Sequence, residues 1–280
     1  WEPAMKKSMR FIKYLPIYIF LGFVMVIILL PILWMFLSSF KPQGQIISYP
    51  PTLLPGEIVF ENFTKLGRRI PILKYVKNSA IYAICTTVPG VFINALAGYA
   101  FARLRFKGRN VLFIATLATM MIPFQVIMIP LYLVVHKLGI YNTYLGLILP
   151  KLASAISIFM MRAVFMGIPK ELEEAGRIDG VSEFGLFWRV MLPQCKPTIV
   201  TLIILGVNGA WNDLMWPLLV TGDTSMRTLA NGLAMFVGTD TIEYGAAFAG
   251  AFVSILPMLV LYLVGQRYFV EGTVTSGLKG

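Results

Sequence analysis

The chain has 280 residues, 58% of them hydrophobic and only 13% charged, with a mean hydropathy of +0.76. So apolar a chain lacks the polar surface needed to wrap a soluble core, so the expected solvent is a bilayer. The formal net charge of +11 lies in short basic clusters at the ends of apolar runs, as orientation signals do, and this argues against a nucleic-acid partner.

The chain opens with Lys6, Lys7, Arg10 and Lys13 before an apolar run from Tyr14 to Phe40. That run is too long for a signal-peptide core and ends in no small-x-small cleavage site, so it reads as an uncleaved first span. The "WEPA" ahead of Met5 carries no structural weight. A hydrocarbon core of about 30 Å takes about 20 apolar residues per helix. Six stretches qualify: 14–38, 79–102, 111–135, 145–166, 197–220 and 245–267. Continuous runs favour helices over a β-barrel. The expected fold is an all-α polytopic membrane protein, with residues 1–280 as a single transmembrane domain of six helices.

Between the first two runs lies a Pro/Gly-rich loop, "KPQGQIISYPPTLLPGEIVFENF", which reads either as a surface strap or as a dock for a soluble partner. Residues 60–75 read as a short interfacial helix. The tight turn "RLRFKGRN" holds Arg103, Arg105, Lys107 and Arg109, and so dense a basic turn belongs on the cytoplasmic side. Both termini are then cytoplasmic and the Pro/Gly-rich loop is outside. Pro123 and Pro130 are expected to kink the third span, and Pro257 the sixth. Intramembrane polar groups usually face a bundle interior or a cavity. Asn94, Gln125 and Asn208 lie deep, whereas Asn212 and Asp213 lie toward the outer end of the fifth span. Gln125, Asn208, Trp211, Asn212 and Asp213 are therefore expected to line a pathway, the alternative being helix–helix hydrogen bonding.

The segment "KELEEAGRIDGVSEFGLFWRVMLP", residues 170–193, departs from this pattern. Five of the chain's 13 acids (Glu171, Glu173, Glu174, Asp179 and Glu183) fall within it. Pro169 and the acids suit a helix start. Gly180 permits a turn, and Ser182 can cap a second helix that carries Phe184, Phe187, Trp188 and Met191 at helical spacing. Pro193 and Pro197 are expected to end it. A helix lying on lipid is usually basic, so an acidic one fits a groove in a protein partner better.

Glu174-Ala175-Gly176, then Gly180, then Val190-x-Leu192-Pro193 resembles the "EAA" loop of binding-protein-dependent ABC importer permeases. Gly176 stands where the family has a second Ala, and Val190 where it has Ile. "SSFKP", "NSAIYA", "YAFARLRFKGRN", "TMMIPFQVIMIPLYLV", "LGIYNTYLGLILP", "WNDLMWPL" and "QRYFVEGTVTSGLKG" extend the resemblance over nearly the whole chain. They are similar to the carbohydrate-uptake branch and its MalG-type subunit. The resemblance implies a type I ABC importer permease (MetI-like) fold in a bacterial or archaeal plasma (inner) membrane. It also implies half of a sugar translocation pathway, the other half being a MalF-type permease. The further partners it implies are a cytoplasmic ATPase dimer and an extracytoplasmic sugar-binding protein.

By the same resemblance, Glu173, Glu174, Ala175, Gly176, Asp179, Gly180, Phe184, Leu192 and Pro193 belong to a loop that docks in a cleft of the ATPase. Glu174 is expected to anchor it through a cation, either Arg177 or an ATPase residue. Thr275, Ser276 and Gly277 belong to a tail that reaches the ATPase dimer. Residues 221–244 resemble a loop that approaches the sugar pocket of the binding protein.

The residues themselves show no catalytic pattern. Cys85 and Cys195 are far apart, His136 is the single histidine, and neither a metal-ligand cluster nor a "GxxxxGK[ST]" phosphate loop occurs. This chain is therefore expected to be a transporter subunit that binds no cofactor, with ATP and magnesium on the partner ATPase. A secondary carrier would need intramembrane carboxylates or an inverted repeat, and a membrane enzyme would need clustered His, Asp or Glu.

Overall fold

A computed structural model describes the backbone of residues 2–237 and 243–277, and the side chains of residues 14–237 and 243–266. All regular structure among the described residues is helical. The chain begins with α1 (Glu2–Ser38), α2 (Gln43–Ile46) and α3 (Glu61–Arg69), the last with Glu61 in its first turn and Arg68 and Arg69 in its last, as the helix dipole favours. The long α4 (Ile72–Arg103) ends where Leu104 turns extended. Gly108, at φ +80°, then starts α5 (Arg109–Ala118). A 3₁₀ turn over Thr119–Met121 leads to Pro123, which precedes α6 (Phe124–Lys137).

Capping places the next breaks. The Thr143 side chain accepts from Gly146 N and starts α7 (Tyr144–Ile148), which a 3₁₀ turn over Leu149–Lys151 follows. The Ser154 side chain accepts from Ser157 N and starts α8 (Ala155–Gly167). Then come α9 (Glu171–Ile178), α10 (Glu183–Gly185), a π-helical turn over Leu186–Met191 and α11 (Leu192–Gln194). The chain ends with α12 (Lys196–Trp211), α13 (Met215–Val220), α14 (Leu229–Val237) and α15 (Tyr244–Gly277).

Among the described residues, three helical stretches are long and apolar enough to cross a membrane alone: Tyr14–Ser38, Ile72–Arg103 and Tyr244–Gln266. Three bent pairs also pass: Arg109–Met121 with Phe124–Lys137 (104°), Tyr144–Lys151 with Ala155–Gly167 (45°), and Glu183–Gln194 with Lys196–Trp211 (81°). Six spans result only if each pair counts as one. The sequence reading expected a kink at Pro123 in the third stretch, took the fourth as unbroken, and began the fifth at residue 197, after Glu183–Gln194; the structure shows where each one breaks. The third breaks at Ile122–Pro123, because proline disfavours a helical residue before it. The fourth breaks ahead of the Ser154 cap. The fifth, read as 197–220, stops at Trp211 and resumes at Met215. Pro193 and Pro197 flank the end of the preceding helix: Glu183–Gln194 stops one residue past Pro193 and bends by 81° into Lys196–Trp211. Each sits in the first turn of a helix, where a missing N–H is harmless, and the chain turns between them at Cys195.

The chain divides into two compact units. One comprises residues 1–70 and 236–255. In it the Asn62 side chain donates to the carbonyls of Ser39 (2.9 Å) and Lys41 (2.8 Å), pinning α3 to the start of the first loop. Lys41 is fully buried, its ammonium 4.5 Å from the Trp34 ring centroid and hydrogen-bonded to the Thr52 carbonyl. In the same unit Phe36, Phe40, Phe63 and Phe252 pack ring against ring.

The other unit comprises residues 71–235 and 256–280. Here α4 is the central element, packed on α8 and α12 through small residues. A Cβ on Gly98 would fall 2.7 Å from Met161 Cβ and 2.9 Å from Arg162 N, and one on Gly206 2.7 Å from Thr87 Cγ2. Two apolar clusters result. One joins Tyr99, Met161, Phe165, Phe187, Met191 and Leu202, and the other joins Tyr82, Val135, Leu147, Trp216 and Val220.

Candidate functional site

The acidic segment folds as two short helices around a defined turn. Gly180, at φ +75°, lets Val181 N reach Gly176 O (2.9 Å) and Gly180 N reach Arg177 O (3.1 Å). That pair of bonds is a Schellman motif, which satisfies the last carbonyls of α9. Ser182 then accepts from Gly185 N at 3.2 Å and caps the second helix, as its sequence position predicts. The family's second Ala is Gly176 here, and packing gives a reason. Gly176 is buried, and a Cβ on it would meet Leu186 Cδ2 at 2.5 Å.

One side of this unit is fixed to the membrane helices. Phe187 is 1% exposed and its ring lies 5.5 Å from Tyr99 and 6.2 Å from Phe165, centroid to centroid. Beside these rings, Glu173 and Arg103 form an ion pair at 2.9 Å with both side chains 5% exposed. Arg103 also donates to the carbonyls of Phe165 and Ile168, tying the end of α4 to the end of α8. Arg177 bridges Glu173 (3.4 Å) and Glu183 (2.8 Å), and the Tyr99 hydroxyl donates to Glu183 at 3.2 Å. The hydrogen bond from Arg177 holds the Glu183 carboxyl below its ordinary value.

Of the two cations expected for Glu174, Arg177 is engaged elsewhere within this chain. Arg177 binds Glu173 and Glu183, while Glu174 and Ala175 are exposed. The sequence reading missed the buried pair because Arg103 lies 70 positions before Glu173. The i,i+4 spacing of Glu173 and Arg177 was the available signal. Elsewhere the unit is open: Ile178 is 86% and Phe184 60% exposed, next to the exposed Glu171, Glu174 and Asp179, while the half-exposed Trp188 packs edge-on against Phe92 of α4 with ring centroids 5.6 Å apart. Leu192 is half-buried and Pro193 exposed. In the tail, Thr275, Ser276 and Gly277 continue the backbone of α15, and their side chains lie outside the described residues.

A second constellation lies among α4, α7, α8 and α12. Asp213, in the break after α12, accepts from the Tyr82 hydroxyl (2.9 Å), pairs with Lys151 (3.2 Å) and accepts from Trp216 N (3.3 Å). The Lys151 ammonium also sits 3.8 Å from the Phe124 ring centroid. These residues border a cavity of about 520 Å³ that runs on past Thr86, Thr87, Asn94, Ser154 and Ser157. Of the predicted pathway residues, only Asp213 lines this cavity. Gln125 is exposed, Asn208 and Asn212 are exposed and hydrogen-bonded to each other at 3.1 Å, and Trp211 is buried. Sequence reasoning missed Tyr82, Lys151 and the Thr86–Thr87 pair, although two adjacent threonines inside an apolar run were a visible signal.

The segment after α13 is also pinned. The Asn142 Oδ1 accepts from Gly222 N (3.0 Å) and Asp223 N (3.2 Å), and the Asn78 side chain donates to the carbonyls of Ser225 and Arg227, both at 2.9 Å. Residues 238–242 of the predicted 221–244 loop lie outside the described residues. Among the described residues no group of His, Cys, Asp and Glu could hold a metal ion.

Comparison with known proteins decides the family. Residues 90–271 match the family model described as the inner membrane component of binding-protein-dependent transport systems. The chain belongs to that family. Its relatives within the family include the arabinooligosaccharides transport permease AraQ of Halalkalibacterium halodurans, 35% identical over 262 residues, covering 92% of this chain and 94% of that protein. Another is the sn-glycerol-3-phosphate transport permease UgpE of Yersinia pestis, 32% identical over 258 residues, covering 89% of this chain and 92% of that one. Among solved structures, a chain of a bacterial ABC transporter that imports the acidic polysaccharide alginate has a TM-score of 0.84 at 24% identity. It covers 92% of this chain and 96% of that one. At that identity the likeness shows the fold, which is the inner membrane component's own.

Proposed function

We propose that this chain is a permease subunit of an ATP-driven, binding-protein-dependent sugar importer, coupled to its ATPase through residues 167–196. The observation that carries the reading is the two-sided build of that segment. One side is seated by Phe187, by Trp188 against Phe92 and by the buried Arg103–Glu173 pair, and the other leaves Glu174, Ile178 and Phe184 exposed. A segment seated this way transmits force. A pull on the exposed side reaches α4 and α8 through Arg103, which is bonded to both.

In this reading the termini and the segment are cytoplasmic, and residues 1–280 serve as one permease domain. Glu173, Ala175, Gly176, Asp179, Gly180, Leu192 and Pro193 shape the coupling unit, and Glu174 and Phe184 touch the ATPase. Thr275, Ser276 and Gly277 extend toward the ATPase dimer, which carries ATP and magnesium. A second, MalF-type permease completes the pathway, and an extracytoplasmic binding protein delivers the sugar. Support for a sugar cargo comes from AraQ, whose name gives its cargo as arabinooligosaccharides.

The test is a mild-detergent pull-down of the tagged chain, wild type and Glu174→Lys, with mass identification of partners. An ATPase and a second permease should follow the wild type, and the ATPase should be lost from the variant. A chain that purifies alone and transports in liposomes without ATP would be a secondary carrier instead.

A further inference from the structure

The basic turn between α4 and α5 is only partly answered by the protein. Of its four cations, Arg103 pairs with Glu173, and Arg109 donates to the Leu104 carbonyl at 3.2 Å. Arg105 and Lys107 are exposed, and among the described residues neither side chain has an ion pair or a hydrogen bond. The sequence from Asn62 to Lys170 contains no Asp or Glu, and the Glu173 carboxylate, which comes from beyond it, is taken by Arg103 and Arg177. Like charges crowded into one turn repel, and an anion from outside the chain relieves that repulsion.

The turn also has a shape. Gly108, at φ +80°, folds it back, and Arg105, Phe106, Gly108, Arg109, Asn110 and Val111 surround an open hollow of about 530 Å³. The lining has two chemistries: Arg105, Arg109 and Asn110 bring donors, and Phe106 and Val111 bring apolar surface. Val111 also begins an exposed apolar stripe on α5 with Ile114, Ala115 and Ala118, spaced as one helix face. The buried Phe113 packs on Phe101 of α4, ring centroids 5.5 Å apart, so the stripe points away from α4. A small soluble anion would use the donors and leave the apolar side bare. An anionic phospholipid uses both, with its phosphate on the cations and its acyl chain along the stripe.

We propose that this hollow seats the headgroup of an anionic phospholipid. The phosphate lies between Arg105 and Arg109, Lys107 adds attraction from beside them, and an acyl chain runs along Val111 and Ile114. The site is independent of the sugar-importer reading and needs only the chain's place in a membrane. The test uses the full chain, with the subunits that co-purify with it, in nanodiscs of phosphatidylcholine. These are doped with one photoactivatable lipid at a time, phosphatidylglycerol or phosphatidylcholine, each with a diazirine near the head of one acyl chain. After irradiation the labelled peptides are mapped by mass spectrometry.

Residues 105–118 should take up at least about fivefold more of the phosphatidylglycerol label, the factor one cation supplies near an anionic surface. The peptide around Val126 and Ile129, exposed in a stretch without Lys or Arg, should take both labels alike. Arg105→Gln/Lys107→Gln should lose most of the preference with no change in melting temperature, since both side chains are in solvent. Arg105→Lys/Lys107→Arg should keep it. Equal labelling by the two lipids, or a full preference in the double glutamine variant, overturns the site and leaves the turn an orientation signal. Loss of the preference in excess inorganic phosphate would make the hollow a site for free phosphate. A carbodiimide cross-link from Lys107 to a carboxylate of another subunit would make the turn a protein dock. Either result also overturns the lipid site.

Discussion

Glu173 and Glu174 are neighbours of the same chemistry with opposite surroundings. Glu173 is 4% exposed and faces Arg103, whereas Glu174 is exposed one position on. Removing one partner of a buried pair costs about 3–5 kcal/mol because the other charge is stranded. Arg103 keeps two carbonyl acceptors, which places Glu173→Gln at the lower end, about 3 kcal/mol. Its apparent melting temperature in detergent should therefore fall clearly below that of the wild type. Glu174→Lys should melt with the wild type, because the side chain it replaces is already in solvent. Equal melting of both variants would mean that the Arg103–Glu173 pair holds nothing. The identity of this anchor was not legible in the sequence. The "EAA" spacing drew attention to Glu174, but burial depends on which residue of α9 faces Tyr99 and Arg103, and those come from another helix.

At the scale of elements, hydropathy marks long apolar stretches but not their continuity. Pro123 announced its own bend, but a 20-residue window averages over a cap, so the break at Ser154 vanishes into a run that is apolar throughout. The turn at Gly180 and the cap at Ser182 were legible because each follows from one residue's backbone chemistry. The crossing of α4 and α8 was not, because its key residue, Gly98, looks like any other glycine in an apolar run. Its neighbours give it meaning: Met161 Cβ at 2.7 Å and Arg162 N at 2.9 Å leave no room for a side chain. Gly98→Val should push the two helices apart and cost about 1–3 kcal/mol as overpacking. Gly22→Ala, where nothing lies within 4 Å of the added Cβ, should be neutral or gain up to about 1 kcal/mol from helix propensity. Thermal melting of the two variants side by side checks this. Tolerance of valine at position 98 would show that the crossing is loose.

For the molecule as a whole, the sequence signal concerns direction across the membrane. The basic turn from Arg103 to Arg109 is a cytoplasmic signal for the end of α4 and the start of α5. The first loop, with Lys65, Arg68, Arg69, Lys74 and Lys77 at its far end, carries the opposite signal. The expectation follows the short turn, since short loops orient a chain more strongly than long ones. Two exposed positions make the outcome measurable. Tyr49, in the first loop, is 95% exposed, and Ile178, at the end of α9, is 86% exposed. In a Cys85→Ala background, whose remaining Cys195 is buried, Tyr49→Cys should react with a membrane-impermeant maleimide in intact cells with an opened outer barrier. Ile178→Cys should react only in inverted vesicles, where the same reagent reaches the cytoplasmic face. Labelling of Ile178→Cys from outside would invert the chain and separate residues 167–196 from any cytoplasmic ATPase. The coupling role therefore depends on this orientation as much as on the geometry of Glu173, Arg103 and Phe187.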